Sequence, residues 1–219
     1  MVHKIFLAVL SILLVSGCQS AIEDAYFSMW DKIGVEKRDI LVDRVEDAQD
    51  SQKDAQEEFA DALEQFSALI NFDGGELQDV YEALSDEYED SKESAEEVSQ
   101  RIDSIESVAN SLFREWEEEL ELISNPSLRN DSANKLKTTK KRYDNLLSSM
   151  RKVEASMQPV LASFQNNVLY LKHNLNANAI NALQGELNTI QTDVNALIKE
   201  MNQAIEESDS FISSIRGND

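Results

Sequence analysis

Few residues in this chain are of the types that do chemistry, and each can be weighed by its spacing. Cys18 is the only cysteine among 219 residues, so neither a disulfide nor a cysteine metal cluster can form within one chain. His173 is the only histidine after residue 3, and a histidine-based triad would rest on it alone. Phosphate chemistry needs a glycine loop of the form G-x-x-x-x-G-K, and the sequence has none. Abundant Asp and Glu could supply oxygens to hard divalent cations, but no stretch has the spaced carboxylates and glycine of a dedicated calcium loop. Asp73-Gly74-Gly75-Glu76 reads as a turn. These absences point to a non-enzymatic protein with no metal and no cofactor. One basic stretch stands apart in an acidic chain: Lys135, Lys137, Lys140, Lys141, Arg142, Arg151 and Lys152 form a patch for an anionic partner.

The position of Cys18 sets the address. Lys4 gives a small positive start, Ile5 to Val15 an apolar run of 11 residues, and Ser16-Gly17 the small residues that a processing peptidase needs. A spanning helix needs about 20 apolar residues, so this run is too short to cross a bilayer. Val15-Ser16-Gly17-Cys18 resembles the lipobox of bacterial lipoproteins. The resemblance implies a signal peptide over 1–17, cleaved to leave Cys18 as an acylated first residue carrying palmitate-type chains. Each buried methylene contributes about 0.8 kcal/mol, so two or three such chains hold a protein on a membrane. Gln19, where inner-membrane lipoproteins tend to carry aspartate, implies an outer-membrane lipoprotein facing the periplasm.

Charge is distributed unevenly over the rest. The whole chain carries a formal charge of −22, and residues 18–123 hold 32 acidic against 8 basic residues while 124–219 hold 10 against 11. Such a surface repels nucleic acid and anionic headgroups at long range, which argues against a nucleic-acid partner. Only 6 Gly and 2 Pro occur, so turns are few and helices long.

The elements that must position these residues appear as stripes of 3,4 apolar spacing. Leu41, Val45, Ala48, Gln52, Ala55, Phe59, Ala62, Phe66 and Leu69 form the first, with Gln52 its one polar member. After the Gly74-Gly75 reversal the stripe resumes through Leu77, Tyr81, Leu84, Tyr88, Ser91, Ala95, Val98, Ile102, Ile105, Ala109, Leu112 and Trp116. Ser124-Asn125-Pro126 ends the second helix, and Asp131 is the expected cap of the third. The third stripe runs from Leu136 to Leu175 with an irregularity between Val160 and Val168, and Pro159 predicts a kink there without a break. Asn176-Ala177-Asn178 is the last reversal before the stripe Leu183 to Ile215. A sustained 3.5 period over four segments predicts an all-α fold, an elongated antiparallel four-helix bundle or coiled coil of long helices. The organisation expected is a lipidated Cys and membrane-proximal aromatic segment over 18–34, an acidic antiparallel coiled-coil hairpin over 35–123 and a second helical hairpin over 124–219.

Register turns these stripes into contacts. Antiparallel pairing about Gly74 makes facing positions of the first two helices add to about 148, so Ala48, Gln52 and Ala55 lie opposite Ser91, Ala95 and Val98. Small residues facing small residues bury little apolar area, which predicts a narrow, mobile waist. Helices two and three pair with positions adding to about 255, which sets the basic stretch beside Glu115, Glu117, Glu118, Glu119 and Glu121. Internal charge complementarity then competes with an external anionic ligand as the use of the patch. The aromatic segment from Ala21 to Ile33 either lies in the bilayer interface or packs against Leu112, Phe113 and Trp116, with Gly34 as its bend.

Lys37-Arg38-Asp39-Ile40-Leu41-Val42-Asp43-Arg44-Val45-Glu46-Asp47-Ala48, with Gln65-Phe66-Ser67-Ala68-Leu69 and Ala182-Leu183-Gln184-Gly185-Glu186-Leu187, resembles a family of bacterial lipoproteins filed as domain of unknown function 2959. The likeness implies a gammaproteobacterial envelope coiled-coil protein and carries no activity or site residues with it. The function expected is therefore a lipid-anchored, periplasm-facing helical scaffold or interaction module, held on the membrane by Cys18 and bound to an unidentified envelope protein. The alternative is a periplasmic chaperone or envelope-stress factor whose waist opens to hold clients. The stripes either close within one chain or leave a face for a second copy.

Overall fold

A computed structural model of the protein describes residues 37–72, 74 and 76–217. Cys18, the expected signal peptide over 1–17, the aromatic segment 21–33 and Gly34 lie outside the described residues. The chain divides into two units, 1–40 and 41–219, and the second contains the bundle. Four helices are described: α1 Lys37–Ile70, α2 Leu77–Leu122, α3 Pro126–His173 and α4 Ala177–Arg216. No strand occurs among the described residues. At 1.5 Å per residue the 46 residues of α2 rise about 69 Å.

Successive helices are antiparallel neighbours, and α4 closes the ring against α1. Asp47 meets Arg101, Ser51 meets Glu97, and Ser91 Oγ donates to the Glu58 carbonyl at 3.1 Å, which is the α1–α2 register read from the sequence. Phe113 packs edge-on against Tyr143 at 5.3 Å between α2 and α3, again in the expected register. On the fourth side, Gln49 Nε2 donates to the Ile205 carbonyl and to Asp209, and Gln56 Nε2 donates to the Ile198 carbonyl. The stripes thus close within one chain.

The core is those stripes. Leu41, Phe59, Phe66, Leu84, Ile102, Ile105, Leu146, Met150, Met157, Phe164 and Leu171 are fully buried. Fully burying an aliphatic or aromatic side chain of this size contributes about 1.5–3 kcal/mol, so these positions, with the equally buried Leu69, dominate the stability of the bundle. At the waist Ala48, Gln52, Ala55, Ser91, Ala95 and Val98 are all buried, and the bond from Ser91 to the α1 backbone shows how closely small residues let the helices approach. Near the end of α2 the stripe rotates: Phe113 is buried, whereas Leu112 and Trp116 are half-buried.

The turns follow local chemistry. Gly74 has φ +147°, a conformation that side-chain-bearing residues rarely adopt, and nothing lies near its missing Cβ, so the constraint is purely one of backbone. The start of α3 corrects the sequence reading. Asn125, not Asp131, is the cap: its side chain accepts from the Ser127 and Leu128 amides at 2.9 and 3.4 Å. Pro126 occupies the first helical position, where its fixed φ suits the helix and its missing N–H costs nothing. Asn176 caps α4 in the same way through the Asn178 and Ala179 amides. Pro159 lies inside α3, and the helix continues through it without a break.

Candidate functional site

Arg101 joins Asp47 of α1 to Glu97 of its own helix and Arg216 of α4 pairs with Glu46 of α1, and beside these lie two larger arrangements of charged side chains, one neutralised and one not. The neutralised one lies along α3 and takes up much of the basic stretch. Arg151 Nη2 donates to Asp103 at 2.6 Å and to Glu106 at 2.7 Å on α2, while Nη1 donates to Glu154 at 2.9 Å. Partial burial opposes the Arg151 charge, but hydrogen bonds to Glu106, Asp103 and Glu154 outweigh it and raise its pKa. Lys152 pairs with Glu200 of α4 at 2.9 Å, and Ser156 Oγ donates to the same carboxylate at 2.6 Å. The bonds from Ser156 and Lys152 hold Glu200 below the usual carboxylate range. Lys140 pairs with Glu117 and sits 5.4 Å from the centre of the Phe113 ring. Lys135 pairs with Asp131 on its own helix.

Four of the seven basic residues thus engage carboxylates within the chain. Lys137, Lys141 and Arg142 are exposed and make no ion pair among the described residues. Tyr143 lies under this stretch with its hydroxyl buried and unpartnered; burial chiefly pushes its pKa up to about 12.

The other arrangement is acidic throughout. Glu58 on α1 and Glu87 and Asp90 on α2 bring carboxylate oxygens within 4.8 Å of one another. Desolvation raises the pKa of both glutamates, and Asp90, Asp61 and neighbouring carboxylates raise them further. The sequence reading looked for a carboxylate loop within one stretch, found none and overlooked the cluster. Its signal was available, because Glu58 and Asp90 face each other in the α1–α2 register. Three oxygen donors of this kind suit a hard divalent cation in type, yet two of the three residues are only half-buried and the third is exposed. The raised pKa values record first the desolvation of the two glutamates and then repulsion from the carboxylates around them.

Small waist residues also leave a shallow groove of about 420 Å³ between α2 and α3, lined by Tyr88, Lys92, Ala95, Gln158, Leu161 and Gln165. Directly inside the waist, Gln52 is fully buried and neither atom of its amide has a partner. His173 is exposed at the last turn of α3. No described helix is long and apolar enough to cross a membrane.

The fold and the sites together define an all-α helical bundle in which ion pairs join α1 to α2, α2 to α3, α3 to α4 and α4 to α1. Residues 26–215 match the family described as Protein of unknown function (DUF2959), which spans the four helices almost entirely, and the chain belongs to that family. No curated protein matches the chain.

Proposed function

We propose that this protein is a non-enzymatic, lipid-anchored scaffold or interaction module of the bacterial cell envelope. Cys18 carries the acyl chains, and the bundle faces the periplasm from the outer membrane. The observation that supports this reading most is how the polar side chains are used. Arg151, Lys152, Lys140, Gln49 and Gln56 tie each helix to its neighbour, as expected of a body that presents a surface. The exposed cations Lys137, Lys141 and Arg142 offer an anionic partner a place to bind on that surface.

Three measurements test the reading. Mass spectrometry of the N-terminal peptide should find acyl chains on Cys18, and Cys18→Ser should release the protein into the soluble periplasmic fraction. Photocrosslinking in cells from positions 71 and 141 should then capture a defined envelope protein, and capture of lipid alone or of nothing would sink the scaffold role. A chaperone role is favoured by one feature, the waist with its unpartnered Gln52. It requires the purified protein to suppress aggregation of several unrelated outer-membrane proteins.

A further inference from the structure

The overhang at one end of the bundle combines exposed apolar residues with an unusual charge. α4 ends at Arg216. Its pairing with α3, fixed by Lys152 and Ser156 on Glu200, brings that end level with about residue 140. Beyond it the α2–α3 hairpin continues, and no residue from Arg114 to Lys135 is fully buried. At its extremity Leu122 is 82% exposed and Leu128 61%, the two most exposed large hydrophobic residues described. Pro126 is exposed and Ile123 half-exposed beside them. Arg129 folds back to donate to the Ile123 carbonyl at 2.9 Å, which closes the turn and leaves the leucines outward.

Charge separates this end from the other. Residues 112–142 hold 7 basic and 6 acidic residues, net +1, and from Leu122 to Asn130 the only charge is Arg129. The α1–α2 end, residues 59–91, holds 10 acidic residues and no basic one. In a chain of −22 the α2–α3 end is therefore the one that an anionic surface repels least.

The entry of the chain lies at the same end. Leu41 begins the second unit and is level with Ser107 in the α1–α2 register, so Leu122 lies about 22 Å further along α2 in that direction. The 23 residues from Cys18 to Leu41 reach no more than about 80 Å even if fully extended.

We propose that the α2–α3 tip, through Leu122 and Leu128, is a second membrane contact that rests in the interface of the bilayer to which Cys18 is anchored. This inference rests on the lipid-anchor reading above. Insertion is shallow, because Glu117, Glu118, Glu119 and Glu121 follow within one or two turns and stay in water. The contact adds a second attachment point to the one at Cys18 and stands the bundle upright, with its acidic α1–α2 end directed away from the lipid.

The test uses the lipidated full chain with single reporter cysteines, Leu122→Cys and Leu128→Cys, and Asn71→Cys as control, each labelled with an environment-sensitive fluorophore. Cys18 is blocked by its acyl chains. Both leucines are exposed, so helicity by circular dichroism should stay unchanged. In vesicles of phosphatidylcholine with about one-third phosphatidylglycerol, emission at positions 122 and 128 should rise at least twofold, be quenched by lipids spin-labelled near the headgroup, and remain unchanged at position 71. If the protein cosediments with vesicles but neither reporter responds, the tip contact is wrong and the anchor stands. A rise without quenching by labelled lipid would also overturn it, since protein would then be covering the leucines. Failure to cosediment would overturn the anchor and the tip contact together.

Discussion

Gln52 is the one polar residue of the α1 stripe, and replacing it should make the protein more stable. Its side chain is fully buried, and both the amide oxygen and nitrogen lack a partner, whereas the flanking Gln49 and Gln56 reach the α4 backbone. A buried unsatisfied polar group costs about 1–3 kcal/mol. Gln52→Met keeps the side-chain length, changes the volume little and loses similar rotamer entropy on burial, so cavity and strain terms stay small. Removing two orphaned atoms should then contribute about 2–4 kcal/mol. For a domain of this size each kcal/mol shifts Tm by about 2–4 °C, which sets an expected rise of about 4–16 °C. Gln52→Ala is the internal control: it removes the same polar atoms but opens a cavity beside Ala48, Ala55 and Ala95, so its net effect should be much smaller. Thermal and urea unfolding of the three proteins, with equal m-values, gives the comparison. If Gln52→Met leaves Tm unchanged or lowers it, the amide has partners, such as a water held within the waist, and the orphaned-amide reasoning is refuted.

Other perturbations test the charged arrangements. Glu58 and Glu87 have raised pKa values in the folded state, so the fold binds more protons than the unfolded chain. Their favourable contribution is full below the unfolded value and is lost as pH rises through the raised one. Glu58→Gln with Glu87→Gln should therefore raise Tm at neutral pH and flatten its pH dependence just above the ordinary carboxylate range, where the folded and unfolded proton counts differ, as followed by circular dichroism. Glu200 works in the opposite sense: its lowered pKa stabilises above the unfolded value and is lost in acid, so Glu200→Gln should cost most near neutrality. Arg151→Met removes the bridge from α3 to Asp103 and Glu106 at a part-exposed site and should cost about 1 kcal/mol by urea unfolding, a loss that shrinks in 1 M salt. Pro159→Ala restores a helical hydrogen bond at an exposed position and should stabilise by about 1–3 kcal/mol in the same assay.

The parts of this molecule that were legible in its sequence are those set by spacing. Stripes of 3,4 period place Leu41, Phe59, Leu84, Ile102, Met150 and Phe164 in one core, and a tight reversal at Gly74 fixes which residues face each other across α1 and α2. Asn125 was missed because Pro126 was read only as the end of one helix. At a helix start the same ring is favourable, and the residue before it becomes the cap. The Glu58, Glu87 and Asp90 cluster was missed for a different reason. Its members lie on two helices, and each looks like one more solvated acid until the register is applied to the polar faces as well as the apolar ones.

Applied in that way, the register also explains why the charge of the chain divides as it does. α3 supplies Lys140 and Arg151 to α2, and Lys152 to Glu200 of α4, so the second hairpin neutralises part of the first where the helices lie together. No basic residue lies between Asp54 and Glu89, and there the carboxylates of α1 and α2 raise one another's pKa values. Large buried side chains at Phe59, Phe66 and Leu84 hold that end of the hairpin closed against its own repulsion. The acidic end is thus stabilised by packing and the basic stretch by pairing.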